Sequence, residues 1–73
     1  MTIPEMTPVS SSNIAKLGYE SATQTVFVQF TNNSLYVYKN VPEGEYHRLF
    51  NASSIGSYLH RHFKNVYAYE RLE

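Results

Sequence analysis

The feature that most constrains this chain is a change of period at Pro42. Before it, Thr25-Val26-Phe27-Val28-Gln29-Phe30 and Leu35-Tyr36-Val37-Tyr38-Lys39 are rich in β-branched and aromatic residues and read as two strands. Asn32-Asn33 between them is a hairpin signal, because asparagine tolerates positive φ better than most residues. Pro42 closes the second strand, since proline cannot donate to a ladder. After it, Tyr46, Leu49 and Phe50 recur at i, i+3 and i+4. That spacing predicts a short helix over 43–50, with Glu43 and Glu45 in the first turn, where the helix dipole favours acids. Asn51-Ala52 interrupts it, and Ser53 or Ser54 caps a second helix. Ile55, Tyr58, Leu59, His62 and Phe63 form its apolar stripe, and Asn65 is its expected stop.

Upstream, residues 14–20 read as a further strand, since Gly18 argues against a helix there and Leu17 and Tyr19 alternate. Ser10-Ser11-Ser12-Asn13 is turn or cap chemistry. Residues 1–9, with two prolines and little periodicity, read as a flexible tail ahead of a single domain at 10–73. Val66-Tyr67-Ala68-Tyr69 is either a fourth strand or an extended tail. The expected fold is therefore α+β: a three-stranded or four-stranded antiparallel sheet with two short helices packed on one face. Hairpin loop length decides where the tyrosines point. A two-residue loop sets Tyr36 and Tyr38 on the face opposite Val26, Val28 and Phe30. A three-residue loop with Asn33 left-handed pairs Val28 with Tyr36 and Val26 with Tyr38, and all five then share one face. The second form gathers the largest side chains under the helices and is preferred.

Size limits how such a fold is stabilised. One core in 73 residues supplies only about 3–5 kcal/mol. There is no cysteine, so disulfides and thiolate metal sites are excluded. What remains is packing of seven tyrosines and four phenylalanines, or self-association as a homo-oligomer. No basic start and apolar run marks a secretory signal at the first residues, and no stretch approaches the roughly 18 apolar residues of a membrane span. A cytoplasmic protein without a membrane partner is expected.

Six basic and six acidic side chains cancel, which argues against a dedicated duplex-DNA binder. The charges are nevertheless segregated. From Tyr46 to Tyr69 there is no acid, while Arg48, Arg61, Lys64 and all three histidines lie there. On the second helix, Ser57, His60, Arg61 and Lys64 fall on the side away from Ile55, Leu59 and Phe63. His60 with Lys64, and Ser57 with Arg61, are i, i+4 neighbours. This acid-free face, beside the backbone N–H groups of the Ser54-Ile55-Gly56 helix start, is a candidate site for phosphate groups. Tyr36 and Tyr38 are core if buried and a stacking platform for bases if exposed.

Catalytic arrangements find no support. His60 and His62 point about 200° apart on a helix and cannot share a metal ion. His62 lies on the apolar stripe and reads as packed; His60 reads as solvent-facing. The chain has no aspartate, and cap or turn roles explain its serines. Glu43 and Glu45 read as a solvated helix start rather than a paired-carboxylate site. A non-enzyme with no cofactor and no metal is expected.

Ser11-Ser12-x-Ile14, Gly18-Tyr19, Val26-x-Val28-x-Phe30, Tyr36-x-Tyr38-x-x-Val41-Pro42, Tyr46 and Ala52-x-Ser54-x-Gly56-x-Tyr58 follow one another in an order that resembles the KTSC domain family. That family is named for the C-terminal extension of some lysyl-tRNA synthetases and also occurs as small stand-alone bacterial and phage proteins. The resemblance spans residues 10 to about 71 and implies, from the synthetase context, an RNA-binding role. It places the family's central tyrosine pair on Tyr36 and Tyr38 and its small-residue helix start on Ser54 and Gly56. The chain departs from the usual pattern at Ile55, where lysine is frequent, at His60, where asparagine is common, and at Phe63, where an aliphatic residue is common. The first departure removes a positive charge beside the candidate anion site.

Two classes of function follow. One is a non-catalytic module binding RNA or a nucleotide through Tyr36, Tyr38, Ser54, Gly56, Ser57, His60, Arg61 and Lys64. The alternative is a protein-interaction or self-assembling module, including a phage or bacterial regulator that sequesters a small phosphorylated ligand between subunits.

Overall fold

Hydrophobic side chains on both faces of its central strands make this sheet a two-sided core. A computed structural model describes residues 3–73. Among the described residues five antiparallel strands lie in sequential order: β1 (Thr7–Pro8), β2 (Ile14–Glu20), β3 (Thr25–Phe30), β4 (Leu35–Tyr38) and β5 (Tyr69–Arg71). Helices α1 (Glu43–Phe50) and α2 (Ile55–His62) connect β4 to β5. The α+β class is as expected, but the sheet has five strands rather than three or four.

Both added strands lie at the edges. The segment expected as a tail over 1–9 contributes β1, whose Thr7 and Pro8 pair with Leu17 and Lys16. Proline is tolerated there because an edge strand does not need every N–H for pairing. Residues 4–6 then cross Gly18: a Cβ on that glycine would stand 2.5 Å from Met6 Sδ and 3.2 Å from the Glu5 carbonyl oxygen. Residues 1 and 2 of that expected tail lie outside the described residues. At the other end, β5 occupies Tyr69–Arg71 rather than 66–69, and pairs with β4 at Tyr36↔Arg71 and Tyr38↔Tyr69.

The hairpin adopts the three-residue loop. Val28 stands opposite Tyr36 and Val26 opposite Tyr38, while Phe30 N–H donates to the Ser34 carbonyl at 2.9 Å. Asn33 takes φ 71°, the left-handed conformation that the loop needs. Val26, Val28 and Tyr38 consequently enter the main core, with Phe30 and Tyr36 packed at its margin.

A bulge in β2 completes this face. Ile14 pairs with Phe30 and Leu17 with Val28, and the register shifts between Ile14 and Lys16. The extra residue brings Ile14 and Leu17 to the same side, and both are fully buried. Leu49 from α1, with Ile55, Leu59 and Phe63 from α2 and its C-terminal end, close the core over them. The reverse face holds Phe27, Leu35 and Val37, covered by Met6 and Leu72 from the two ends of the chain.

Tyrosines tie the helices down. Tyr19 stacks on Tyr46 at 4.9 Å between ring centres and donates its hydroxyl to the Val41 carbonyl at 2.6 Å. Tyr58 donates its hydroxyl to the Glu45 carboxylate, joining α2 to α1. No helix among the described residues is long and apolar enough to cross a membrane.

Candidate functional site

Six serines converge at the start of α2. Ser54 is the N-cap, with extended backbone; its hydroxyl accepts the Ser57 N–H at 3.4 Å and donates to Ser57 Oγ at 3.1 Å. The remaining first-turn N–H groups have no intrahelical acceptor by helix geometry. Opposite them lies the loop of Ser10, Ser11, Ser12 and Asn13, where Ser11 Oγ donates to Asn13 Oδ1 at 3.3 Å. Gly56 permits the close approach: a Cβ there would stand 2.7 Å from Asn13 Oδ1. Together the loop, Ser53, and the first two turns of α2 enclose an open cleft of about 860 Å³.

His60 and Arg61 form part of its wall, and no carboxylate lines it. The ion pair found among the described residues is His47 with Glu43 at 3.6 Å, both well exposed, so Arg61 has no carboxylate partner within ion-pair distance there. The cleft thus offers hydroxyl donors, helix N–H groups and a guanidinium without an opposing negative charge. That set suits an oxyanion such as a phosphate.

The structure brings together five of the eight residues singled out in the sequence: Ser54, Gly56, Ser57, His60 and Arg61. Lys64 is exposed and lies beyond the cleft lining. The tyrosine pair divides. Tyr38 is 7% exposed and meets Phe63 edge-on at 5.6 Å, so it is core rather than a platform. Burial, then the neighbouring Tyr69 and Tyr36, push its hydroxyl pKa above the ordinary value. Tyr36 is half-buried and lines a second, smaller depression of about 310 Å³ with Asn13, Phe30, Thr31, Asn32 and Ser34.

His62 departs from its expected packed role. It is exposed and lies against the Tyr58 ring at 4.3 Å between centres. The helix turns its stripe toward the sheet through Ile55, Leu59 and Phe63, leaving the 58–62 pair at the margin. Among the described residues no three histidine, cysteine, aspartate or glutamate side chains gather as a metal site would need.

Sequence reasoning missed the loop half of the cleft. Ser10, Ser11, Ser12 and Asn13 read only as turn chemistry, because nothing local says that the loop faces a helix far along the chain. The available signal was the pairing of Ser11-Ser12 with Gly56 in one motif order: a glycine in the first turn of a helix asks what approaches it.

Comparison with known proteins bears on the fold and the family. The chain is 41% identical over 61 residues to a lysine–tRNA ligase of Trichormus variabilis, covering 84% of this chain and 11% of that enzyme. It thus spans about a tenth of the length of the lysine–tRNA ligases it matches. It is 33% identical over 66 residues to an uncharacterized protein of Stutzerimonas stutzeri, covering 89% of this chain and 93% of that protein. The crystal structure of a KTSC domain protein from Yersinia pestis superposes with a TM-score of 0.90 at 28% identity, covering 94% of this chain and 97% of that one. The profile of the KTSC domain matches residues 10–67, and the chain belongs to the KTSC domain family.

Proposed function

We propose that this domain is a non-catalytic module that binds RNA, with a backbone phosphate held in the serine cleft at the start of α2. The observation that carries the reading is the composition of that cleft: six serines and Arg61 with no carboxylate in the lining. A protein of zero formal net charge that keeps acids out of this cleft has a local preference for anions. Kinship with a segment of enzymes that ligate lysine to tRNA favours RNA over other polyanions. His60 adds a donor to the wall, and Lys64, beyond the cleft, extends the positive face along the helix.

Titration of a labelled single-stranded RNA at several salt concentrations tests this. Affinity is expected to fall with salt. Arg61→Ala should weaken binding and flatten the logarithmic salt slope by about 0.7, the value for one phosphate no longer neutralised. Binding that ignores both salt and Arg61 would count against the cleft.

A second reading has its own observation. Beside β5 the surface exposes Tyr69 (57%) and Val66 (62%), large apolar groups next to an open sheet edge. Such an edge suits strand addition by another protein or a second copy. A monomer by light scattering at high concentration, with no partner retained on an immobilised domain, would remove this reading.

A further inference from the structure

We infer that the depression beside the serine cleft receives one nucleobase, so that the module takes single-stranded rather than duplex RNA. The inference rests on the reading of the cleft as a phosphate site and extends it to the neighbouring group of the same nucleotide chain.

Four observations meet here. The two hollows share Asn13 as a common wall. Their rims are also joined through the backbone, because Thr31 N–H donates to the Asn13 carbonyl at 3.0 Å. A strand with phosphate in one hollow therefore has its next polar and aromatic surface fixed beside it.

The second hollow has an aromatic wall held in place. Tyr36 meets Phe30 edge-on at 5.4 Å and 86°, has Tyr69 at 6.0 Å, and carries the Arg71 guanidinium 5.9 Å from its ring centre. A ring braced on several sides loses little freedom when a base packs against it.

Polar groups at the rim have the chemistry of base-edge recognition. Asn32 Oδ1 accepts from Ser34 N–H at 3.0 Å and from Ser34 Oγ at 2.5 Å, and Asn13 Oδ1 accepts from Ser11 Oγ. With both amide oxygens engaged, the amide NH₂ groups of Asn13 and Asn32 donate to no group among the described residues and face carbonyl or ring-nitrogen acceptors of a base as donors. A base stacked inside a duplex cannot enter such a hollow, whereas an unstacked one can.

The test compares three labelled ligands by fluorescence anisotropy at low salt: a single-stranded RNA hexamer, the same sequence as a duplex, and its abasic ribose-phosphate counterpart. The single strand is expected to bind at least about tenfold more tightly than either of the others, and Tyr36→Ala to erase that margin. Circular dichroism establishes whether the variant folds, and the wild-type comparison stands without it. Equal affinity for the abasic strand or the duplex overturns the base hollow. If Arg61→Ala still weakens all three ligands in that case, the phosphate cleft survives alone. If the wild-type protein binds none of the three, both readings fall together.

Discussion

Gly56 and Asn13 show how a single side chain decides the shape of the cleft. In most helices, replacing glycine by alanine stabilises by about 0.5–1 kcal/mol. Here the new Cβ meets Asn13 Oδ1, so Asn13 must turn away and give up its bond from Ser11. Gly56→Ala is therefore expected to change stability by less than about 1 kcal/mol by urea denaturation, because the losses offset the propensity gain. Affinity for a phosphate-bearing ligand should nevertheless fall, and a calorimetric titration checks it. Tyr58 works in the opposite sense, by packing rather than by exclusion. Its hydroxyl binds Glu45 across the helix pair, so Tyr58→Phe should cost roughly 1 kcal/mol, measured by the same denaturation. The helix half of the site was legible at this scale: Ser54, Ser57, His60 and Arg61 follow from one helical period. The fate of the tyrosines was not. Identical residue types at 36 and 38 lie on the same face, yet one is core and the other half-buried, because Phe63 covers only Tyr38.

Among the elements, the β3–β4 hairpin carries the clearest local instruction. Asn33 sits at φ 71°, where an alanine incurs the left-handed penalty. Asn33→Ala should lose about 1 kcal/mol of stability, while Asn33→Gly should hold or slightly raise it; thermal melts of both variants decide. The hairpin register could be argued from sequence because one loop residue flips every side chain, and only one choice gathers the large ones. The bulge in β2 could not. Ile14 and Leu17 break the alternation of a flat strand, and only pairing with β3 shows that an extra residue restores both to the core. Strand β5 was misplaced for a similar reason. Its position is set by Leu72 reaching the reverse face and Tyr69 packing on Tyr36 and Tyr38, neighbours that local propensity does not contain. A chain ending at residue 68 should therefore lose cooperative unfolding, visible as a broadened urea transition with a lower slope.

For the molecule as a whole, Tyr38 lies in the core and Tyr19, Tyr46, Tyr58 and Tyr67 pack against it, and that has a consequence at high pH. Burial pushes the hydroxyl pKa of Tyr19, Tyr38, Tyr46 and Tyr67 above 10.0, and the Glu45 hydrogen bond, then burial, does the same for Tyr58. The unfolded chain therefore loses these protons first as pH rises. The stability they contribute is fully present below about pH 10 and declines above it as the folded groups approach their own raised pKa values. Urea midpoints at about pH 8 and about pH 11 should show the drop, and an unchanged midpoint would contradict it. The ends of the chain close the reverse of the sheet, while the loop before β2 and the start of α2 leave a polar opening at one side. If the domain binds RNA as proposed, this opening is the binding face and the exposed edge beside β5 is not. Chemical-shift mapping with a single-stranded RNA oligomer tests it most directly. The largest backbone shifts should fall on residues 10–13 and 53–61, with 31–36 joining them if the base hollow is occupied; shifts confined to Val66, Tyr69 and the rest of the β5 edge would contradict it.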